Sequence, residues 1–246
     1  MFIFEKTIYM RVFGLLLSLA LLSSCGDSKR SAKSSTSATS ANQTIGADSG
    51  AIKPLTQSKK ERFTLTEENA IPFFFEYEKA LVENHLKFET SLGNFTVRLF
   101  ENVPYHRANA IYLAKNHYFD GTLFHRVVKG FIIQGGNADN PEVAAKRKAI
   151  GRYLLPPDTN KGHKHHRGVI SMPSSDIDNP HKLASPFEFF IVVTEPGSYH
   201  LDGSYTAFGE VTEGMEVVDK INSVAVDSGD WPMQNVYIQK VTAFSD

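Results

Sequence analysis

The sequence predicts a mainly β domain, a closed antiparallel barrel that two helices cap. Residues 124–136 and 188–193 are rich in β-branched and aromatic side chains, which is typical of buried strands. Several more short strands follow one another along the chain, separated by turns that contain glycine. Two stretches, 104–116 and 214–221, are the candidate capping helices. Many strands with two helices in a domain of this size favour a closed barrel.

The composition is that of an ordinary globular protein. The chain has 246 residues, of which 41% are hydrophobic and 22% charged, enough for one domain of about 180 residues plus extra segments. A net charge of −1 does not suggest a nucleic-acid partner. The single cysteine excludes an internal disulfide framework and a cysteine-rich zinc site. We expect a monomer that needs no cofactor.

The N-terminus has the pattern of an export signal. Lys6 and Arg11 precede an apolar run over residues 12–22. The run is shorter than the about 20 residues that span a bilayer, and it has the proportions of a signal-peptide core. Residues 22–25, Leu-Ser-Ser-Cys, resemble a bacterial lipobox, which implies lipidation of Cys25. The alternative is a buried cysteine in an N-terminal helix.

The chain therefore divides into four predicted segments: a lipoprotein signal peptide (1–24), a flexible tether (25–60), a helical extension (61–84) and the main domain (85–246). The tether is rich in Ser, Thr, Ala, Asn, Gln and Lys, and such a segment buries too little apolar surface to fold. We expect an exported protein, anchored by lipid to a bacterial membrane on its periplasmic or surface side. Met10 precedes Arg11 as a second possible start, which would make residues 1–9 an upstream extension.

The first elements follow from local signals. Thr66 is a predicted N-cap, and the apolar face of the following residues predicts a helix to about Val82 that packs outside the main fold. Residues 86–90 and 94–100 predict a hairpin, and Pro104 suits the first position of the next helix.

The middle of the chain is the least regular. A short helix is predicted over residues 141–150, before a loop that carries His163, His165 and His166. These histidines and Asp158 allow a zinc site as an alternative. Their spacing matches no familiar tetrahedral set, and neighbouring cations oppose a metal, so we expect a solvated basic loop without metal. Strands at 168–172, 188–193, 207–211 and 236–244 and the helix at 214–221 complete the domain.

The central stretch carries the chemistry. Arg126 and Gln134 are polar groups inside an apolar run that also contains Phe131. A guanidinium, an amide and an aromatic ring on one surface suit the binding of a neutral peptide group, and the stretch holds no nucleophile for hydrolysis. The alternative is a plain core strand from which Arg126 reaches to water.

The same stretch resembles the central signature of the cyclophilin family of peptidyl-prolyl isomerases, through Phe124-His125-Arg126-Val127, Phe131 and Gln134-Gly135-Gly136. Further motifs resemble the family in the same order: Gly-Val-Ile-Ser-Met at 168–172, Glu-Phe-Phe-Ile at 188–191, His-Leu-Asp-Gly at 200–203 and Phe-Gly at 208–209. The resemblance runs from about residue 86 to the C-terminus. It implies an eight-stranded barrel with two capping helices and a peptide groove on its outer face.

The resemblance also implies residue roles. Arg126 donates toward the prolyl nitrogen and carbonyl, and Gln134 holds Arg126 or the substrate carbonyl. The implied proline pocket consists of Phe131, Ile132, Phe190 and Leu201. The other implied substrate contacts are Ser174, Glu188, His200 and Tyr205. The expected activity is acceleration of rotation about X-Pro bonds in exported client polypeptides, which assists their folding.

Five positions depart from the family pattern. Glu188 replaces a usual Gln and could pair with Arg126 or a neighbour, Pro173-Ser174 replaces Ala-Asn, His200 replaces Trp, and Tyr205 replaces a common His. The Trp position is associated with tight cyclosporin binding, so we expect weak inhibition. A non-catalytic module that binds proline peptides in the same groove is the alternative function.

Overall fold

Eight antiparallel strands close into a barrel in the computed structural model, which describes residues 63–174 and 179–246. The strands are β1 (His85–Thr90), β2 (Gly93–Leu99), β3 (Thr122–Val128), β4 (Ile132–Asn137), β5 (Val169–Met172), β6 (Phe189–Val192), β7 (Thr206–Glu213) and β8 (Tyr237–Phe244). The helices are α1 (Ala70–Glu78), α2 (Pro104–Lys115), α3 (Pro141–Ile150) and α4 (Met215–Asn222). The predicted barrel is confirmed, and α2 and α4 pack against it.

The predicted signal peptide, Cys25 and the tether lie outside the described residues. Within the described ranges, no helix is both long and apolar enough to cross a membrane.

The strand order around the barrel is β1-β2-β7-β5-β6-β4-β3-β8. The last strand closes the barrel, because β8 pairs with β1 from His85↔Phe244 to Thr90↔Ile238 and with β3 at Thr122↔Ile238. Hydrogen bonds beyond the paired residues continue this closure alongside β3. The Phe124 amide donates to Val236 O at 3.0 Å, and the Val127 amide donates to Asp230 O at 2.8 Å.

Aromatic rings fill the inside of the barrel. Phe88 stacks on Phe95 at 4.7 Å between ring centroids, and Phe124 meets Phe189 edge to face at 6.0 Å. Side chains alternate between the two faces of a strand, so Phe189 and Ile191 of β6 join this core while their neighbours point the other way. This alternation creates a second, outward-facing apolar surface on the same strands.

The central stretch forms two strands rather than one core strand. β3 and β4 pair from Leu123↔Asn137 to Val128↔Ile132, and the turn lies at the Lys129-Gly130 break in the apolar pattern. Gly130 has φ 68°, a left-handed conformation that glycine adopts readily. Asn222, at the end of α4, fixes this turn. Its side chain accepts from the Gly130 amide at 2.8 Å and donates to Val128 O at 2.9 Å.

The N-terminal helix is shorter than predicted at both ends. Helix α1 begins at Ala70 and ends at Glu78, whereas the sequence predicted a start next to Thr66 and an end near Val82. Thr66 and Asn69 bond to each other ahead of the helix: Asn69 Oδ1 accepts from the Thr66 amide at 2.7 Å, and Thr66 Oγ1 accepts from the Asn69 amide at 3.3 Å. Thr66 O also accepts from the Ala70 amide at 3.0 Å, so Thr66 makes the bonds of the predicted N-cap although the assigned helix begins only at Ala70.

Helix α1 packs on the outside of the main fold, as predicted. Phe74 is buried and meets Tyr112 of α2 edge to face at 5.9 Å between ring centroids. Leu65, which lies ahead of α1, is hydrogen-bonded to the end of α3. Its amide donates to Ile150 O at 2.8 Å, and its carbonyl accepts from the Arg152 amide at 3.0 Å. The predicted helix at 141–150 is confirmed as α3, which Asn140 caps.

Candidate active site

A row of four side chains crosses the outer face of the barrel. Arg126 of β3 lies opposite Gln134 of β4, Gln134 lies opposite Phe190 of β6, and Phe190 lies opposite Ser171 of β5. Directly opposed residues of neighbouring strands point to the same face of a sheet. The register therefore brings the predicted polar pair next to an aromatic ring, although the chain separates them widely.

An apolar cluster adjoins this row, separate from the barrel core. Its buried members are Ile132, Phe190, Val192 and Leu201, and its partly buried members are Val128, Phe131 and Tyr205. We call this set the outer cluster. All four residues of the predicted proline pocket, and Tyr205, belong to it. The rings of Phe190 and Tyr205 meet edge to face at 5.6 Å and 88°.

His200 lies at the edge of the outer cluster. It belongs to a short 3-10 turn, Tyr199–Leu201, and its ring stacks on Phe131 at 5.5 Å between centroids and 24° between planes. His200 is exposed while Leu201 is buried, so the turn directs one side chain inward and one along the rim. This arrangement gives the cluster an open side flanked by two stacked rings.

Arg126 and Gln134, two of the polar residues of the row, face different partners. Arg126 Nη2 lies 3.5 Å from Asp230 Oδ2, and both side chains are about two-fifths exposed. Gln134 turns to the other side, where its Nε2 donates to Glu188 Oε2 at 3.0 Å. The contact between Gln134 and Arg126 that the sequence suggested is thus replaced by a carboxylate partner for each.

The carboxylate of Glu188 contacts four neighbouring side chains. Besides Gln134, its carboxylate accepts from Asn137 Nδ2 at 3.3 Å and lies 3.6 Å from His125 Nε2 and 3.9 Å from Arg147 Nη2. Burial raises the pKa of Glu188, but bonds from His125 and Gln134 and the charge of Arg147 outweigh it, so the pKa lies below its usual value. The carboxylate is therefore ionised at neutral pH. It pairs with neighbours and not with Arg126.

Glu188 also borders a large cavity. The cavity has a volume of about 1000 Å³ and lies between α3, the segment around Leu65 and residues 185–188. Arg147 and Lys148 contribute positive charge to its wall, and Phe187 and Val143 contribute apolar surface. Glu188 therefore lines this cavity and also holds Gln134, a member of the row of side chains.

The histidine loop is largely exposed, as predicted, but one of its three histidines is buried. His165 is 1% exposed; its Nδ1 lies 2.8 Å from Asp202 Oδ1 and its Nε2 lies 3.1 Å from Ser171 Oγ. The ring stacks beneath Phe190 at 6.2 Å between centroids. Burial lowers the pKa of His165, an effect that Asp202 opposes. A carboxylate and a buried hydroxyl at the two ring nitrogens explain why this histidine leaves the solvent.

The other two histidines of the loop have separate partners. His163 stacks on Phe100 at 3.7 Å between ring centroids, and His166 Nδ1 lies 2.9 Å from Tyr199 Oη. Across residues 63–174 and 179–246, no group of three or more His, Cys, Asp or Glu side chains is arranged to hold a metal ion.

Ser174 has a different setting from the other predicted substrate contacts. Its Oγ is buried and has no hydrogen-bond partner among the described residues. The residue forms an isolated antiparallel bridge with Ala184, directly before the undescribed residues 175–178. A direct contact of Ser174 with substrate stays a prediction.

Sequence reasoning missed Asp230, His165 with Asp202, and Asn222. Asp230 and Asn222 act through contacts between distant parts of the chain, and neither stands in a recognisable motif. Asp202 was visible in the His-Leu-Asp-Gly motif, but only as a turn residue.

Comparison with known proteins identifies similar sequences and structures. The family model described as "Cyclophilin type peptidyl-prolyl cis-trans isomerase/CLD" matches residues 85–243. The chain is 37% identical to peptidyl-prolyl cis-trans isomerase CYP18-2 of Arabidopsis thaliana over 152 residues, which are 61% of this chain and 87% of that protein. It is 34% identical to peptidyl-prolyl cis-trans isomerase-like 2 of Rhizopus delemar over 174 residues, 70% of this chain but only 31% of that longer protein.

A solved structure shares the fold. The crystal structure of a Cryptosporidium parvum cyclophilin type peptidyl-prolyl cis-trans isomerase superposes with a TM-score of 0.56 at 26% sequence identity. The match covers 67% of this chain and 99% of that chain. About a third of this chain therefore has no counterpart in that structure.

Proposed function

The chain belongs to the cyclophilin-type peptidyl-prolyl cis-trans isomerases, and from this membership we propose that its outer groove turns X-Pro bonds of exported polypeptides, with Arg126 as the catalytic donor. The observation that carries the proposal is the position of Arg126 in one cross-strand row with Gln134 and Phe190, beside the outer cluster. A cation with several donors next to an apolar recess matches a proline ring and its polar amide.

The chemistry follows from the bond that must turn. Amide resonance gives the C–N bond partial double-bond character and a rotation barrier of about 18–20 kcal/mol. As the amide twists, resonance is lost and the prolyl nitrogen becomes a better hydrogen-bond acceptor. A donor that meets this nitrogen only in the twisted state lowers the barrier without any covalent step. Arg126 suits this role, because its guanidinium stays protonated and cannot act as a base.

The outer cluster supplies the ring site in this proposal. Phe131, Ile132, Phe190 and Leu201 hold the proline ring, while the acyl part of the client, which stays outside the cluster, is free to rotate. Burial of apolar surface stabilises the bound ring by about 25 cal/mol per Å². No proton has to move, so His200 serves as a wall that covers Phe131 rather than as a general base.

Gln134 and Glu188 have a supporting part. A carboxylate only accepts hydrogen bonds, so Glu188 holds the Nε2 end of the Gln134 amide and leaves its Oε1 for a donor. In the proposal that donor is a client backbone N–H or the Arg126 guanidinium. The cavity next to Glu188 offers space for client side chains that flank the proline.

The proposal also includes the cellular location of the protein. The apolar run at 12–22 and the lipobox at 22–25 support export and lipidation of Cys25. Expression in a bacterial host should yield a membrane-bound protein with an acylated N-terminal Cys25, as seen by mass spectrometry. The Cys25→Ser variant should lose both the lipid and the membrane association. Wild-type protein that stays unlipidated in the soluble fraction would overturn this assignment.

The central test is an isomerisation assay on proline tetrapeptides with the purified protein. We expect Arg126→Ala to lower kcat/KM by about 100-fold, in the range found when a transition-state donor is removed, and Arg126→Lys to restore only part of the activity. The thermal midpoint of both variants should stay near the wild-type value, because Arg126 is substantially exposed. Wild-type protein that binds the peptides but accelerates no more than Arg126→Ala would instead identify a non-catalytic proline-binding module.

A further inference from the structure

Asp230 faces the catalytic arginine from the loop before β8. Its Oδ2 lies 3.5 Å from Arg126 Nη2, so the contact joins one carboxylate oxygen to one guanidinium nitrogen. The backbone of Asp230 is attached to the same strand, because its carbonyl accepts from the amide of Val127 at 2.8 Å. Both the main chain and the side chain of Asp230 are thus placed directly beside Arg126.

Hydrogen bonds within the loop hold Asp230 in this place. Asp227 Oδ1 accepts from the amides of Gly229 and Trp231 at 2.8 and 2.9 Å, and the Asp227 amide donates to Trp231 O at 2.9 Å. Asp230 itself has φ 64°, a left-handed conformation that Asp and Asn tolerate better than most residues. The loop is therefore built to present this side chain.

We propose that Asp230 is a positioning residue for the isomerase reaction: it orients the guanidinium of Arg126 toward the groove before a client binds. The inference rests on the proposed function of Arg126 and adds a residue to it. The inference depends on the contact between Asp230 and Arg126, whereas the proposed function depends on the row of side chains on the barrel face.

The physical reason is the flexibility of arginine. A half-exposed arginine side chain samples many rotamers, and a donor acts best on a transition state when it is oriented in advance. The carboxylate restrains the Nη2 end of the guanidinium and leaves its remaining N–H groups for the twisted amide. If Asp230 instead competed with the client for Arg126, it would slow the reaction. Removal of the Asp230 carboxylate should then raise kcat, whereas removal of a positioning residue should lower it.

Two variants test this without disturbing the loop. Asp230→Asn keeps a carbonyl acceptor but removes the charge, and Asp230→Gly removes the side chain; both residues accept φ 64°. We expect Asp230→Gly to lower kcat about tenfold and to change KM less than twofold, since misplacing a catalytic group chiefly impairs the transition state. Asp230→Asn should lie between Asp230→Gly and wild type.

Glu210→Gln serves as the matched control. Glu210 forms an exposed ion pair with Arg98 on β2, away from the outer cluster, so the loss of that pair should leave kcat unchanged. If both Asp230 variants keep the wild-type kcat, or if either raises it, the positioning role is overturned.

A second measurement tests the inference without relying on isomerase activity. NMR of the Arg126 guanidinium reports how fast it rotates about its Nε–Cζ bond. We expect rotation at least several-fold faster in Asp230→Gly than in wild type, and equal rates would overturn the inference. Failure of the wild-type protein to accelerate isomerisation would reject the proposed function, whereas the rotation rates would still decide whether Asp230 holds Arg126.

Discussion

The amide of Gln134 on β4 and the carboxylate of Glu188, the residue just before β6, meet at 3.0 Å. On the other side of the row, Arg126 faces Asp230. Gln134 and Arg126 are therefore each held by a carboxylate, one from the residue just before β6 and one from the loop before β8. Two carboxylates therefore lie close to the groove beside Arg126, which should influence which clients the groove accepts.

The first prediction concerns client charge. Glu188→Gln removes a carboxylate that is ionised at neutral pH, because the pKa of Glu188 lies below its usual value. Charges about 8 Å apart near a protein surface interact by about 1–2 kcal/mol, less in salt. We expect the wild-type preference for peptides with Lys over Glu before the proline to fall about fivefold in Glu188→Gln. The measurement is the ratio of kcat/KM for the two peptides.

Repeating the two assays at high salt provides the control for this prediction. The preference of the wild-type protein should shrink as salt screens the charge, while that of Glu188→Gln should hardly change. Equal preference ratios for wild type and variant at low salt would contradict an electrostatic role of Glu188.

The second prediction concerns cyclosporin. His200 stands where the family commonly has Trp, and its ring stacks on Phe131. An imidazole offers less apolar surface than an indole, so we expect weak inhibition of the wild-type protein. His200→Trp should tighten inhibition at least about tenfold, as the larger ring buries more of the ligand. A nanomolar inhibition constant for the wild-type protein would contradict this expectation.

The third prediction concerns stability in acid. His106 is fully buried in α2, neither ring nitrogen has a hydrogen-bond partner among the described residues, and burial lowers its pKa to about 3. In the unfolded chain the pKa is about 6.5, so between these values the unfolded state binds the extra proton and stability falls as the pH falls. The slope is about 1.4 kcal/mol per pH unit, or about 2 kcal/mol from pH 6.5 to 5.

His106→Leu tests this assignment. The variant should lose less stability than the wild-type protein between pH 6.5 and 5, as measured by urea unfolding at each pH. His181→Leu is the control, because His181 is exposed and its loss should leave the slope unchanged. Parallel stability curves for wild type and His106→Leu would show that His106 does not contribute to the acid loss.

The fourth prediction concerns the attachment of the N-terminal extension. A Cβ added at Gly151 would lie 1.9 Å from Leu65 O, and Gly151 has φ 128°. Gly162 also has a positive φ, 83°, but a Cβ there would meet nothing within 4 Å. Gly162→Ala should cost about 1 kcal/mol of unfolding free energy from backbone strain alone, whereas Gly151→Ala should cost at least about 3 kcal/mol.

Hydrogen exchange locates the effect of Gly151→Ala. The amides of Leu65 and Arg152, which bond across this contact, should lose their protection while amides of the barrel keep theirs. Equal destabilisation by the Gly151 and Gly162 variants would mean that Leu65 moves aside without loss.

The barrel was predictable because its strands leave strong local signals. Phe187 to Val193 are almost continuously apolar, and glycine turns bound most of the other strands. A strand that is apolar on both faces has to bury both faces. The outer cluster covers the outward face of β6 and therefore follows from this sequence pattern. Phe190 follows from that rule together with the family resemblance.

The contacts around the site were not predictable, because they depend on positions in space that sequence spacing does not encode. Asp230 reaches Arg126 only through a left-handed loop residue and the closure of β8 beside β3. His165 reads as part of a basic, polar loop, and its burial depends on a hydroxyl and a carboxylate that the fold brings to it. Thr66 makes the N-cap bonds that its sequence predicts, yet α1 begins only at Ala70 because residues 67–69 form a turn ahead of it.

The closing strand β8 sets an order of events during synthesis. It pairs with both β1 and β3, and the loop just ahead of it carries Asp230. A nascent chain that has emerged only as far as α4 has two open strand edges and lacks the partner of Arg126. Competence to act on clients therefore arises only after the last strand has emerged, and shorter translation products should be both inactive and prone to associate through their unpaired edges.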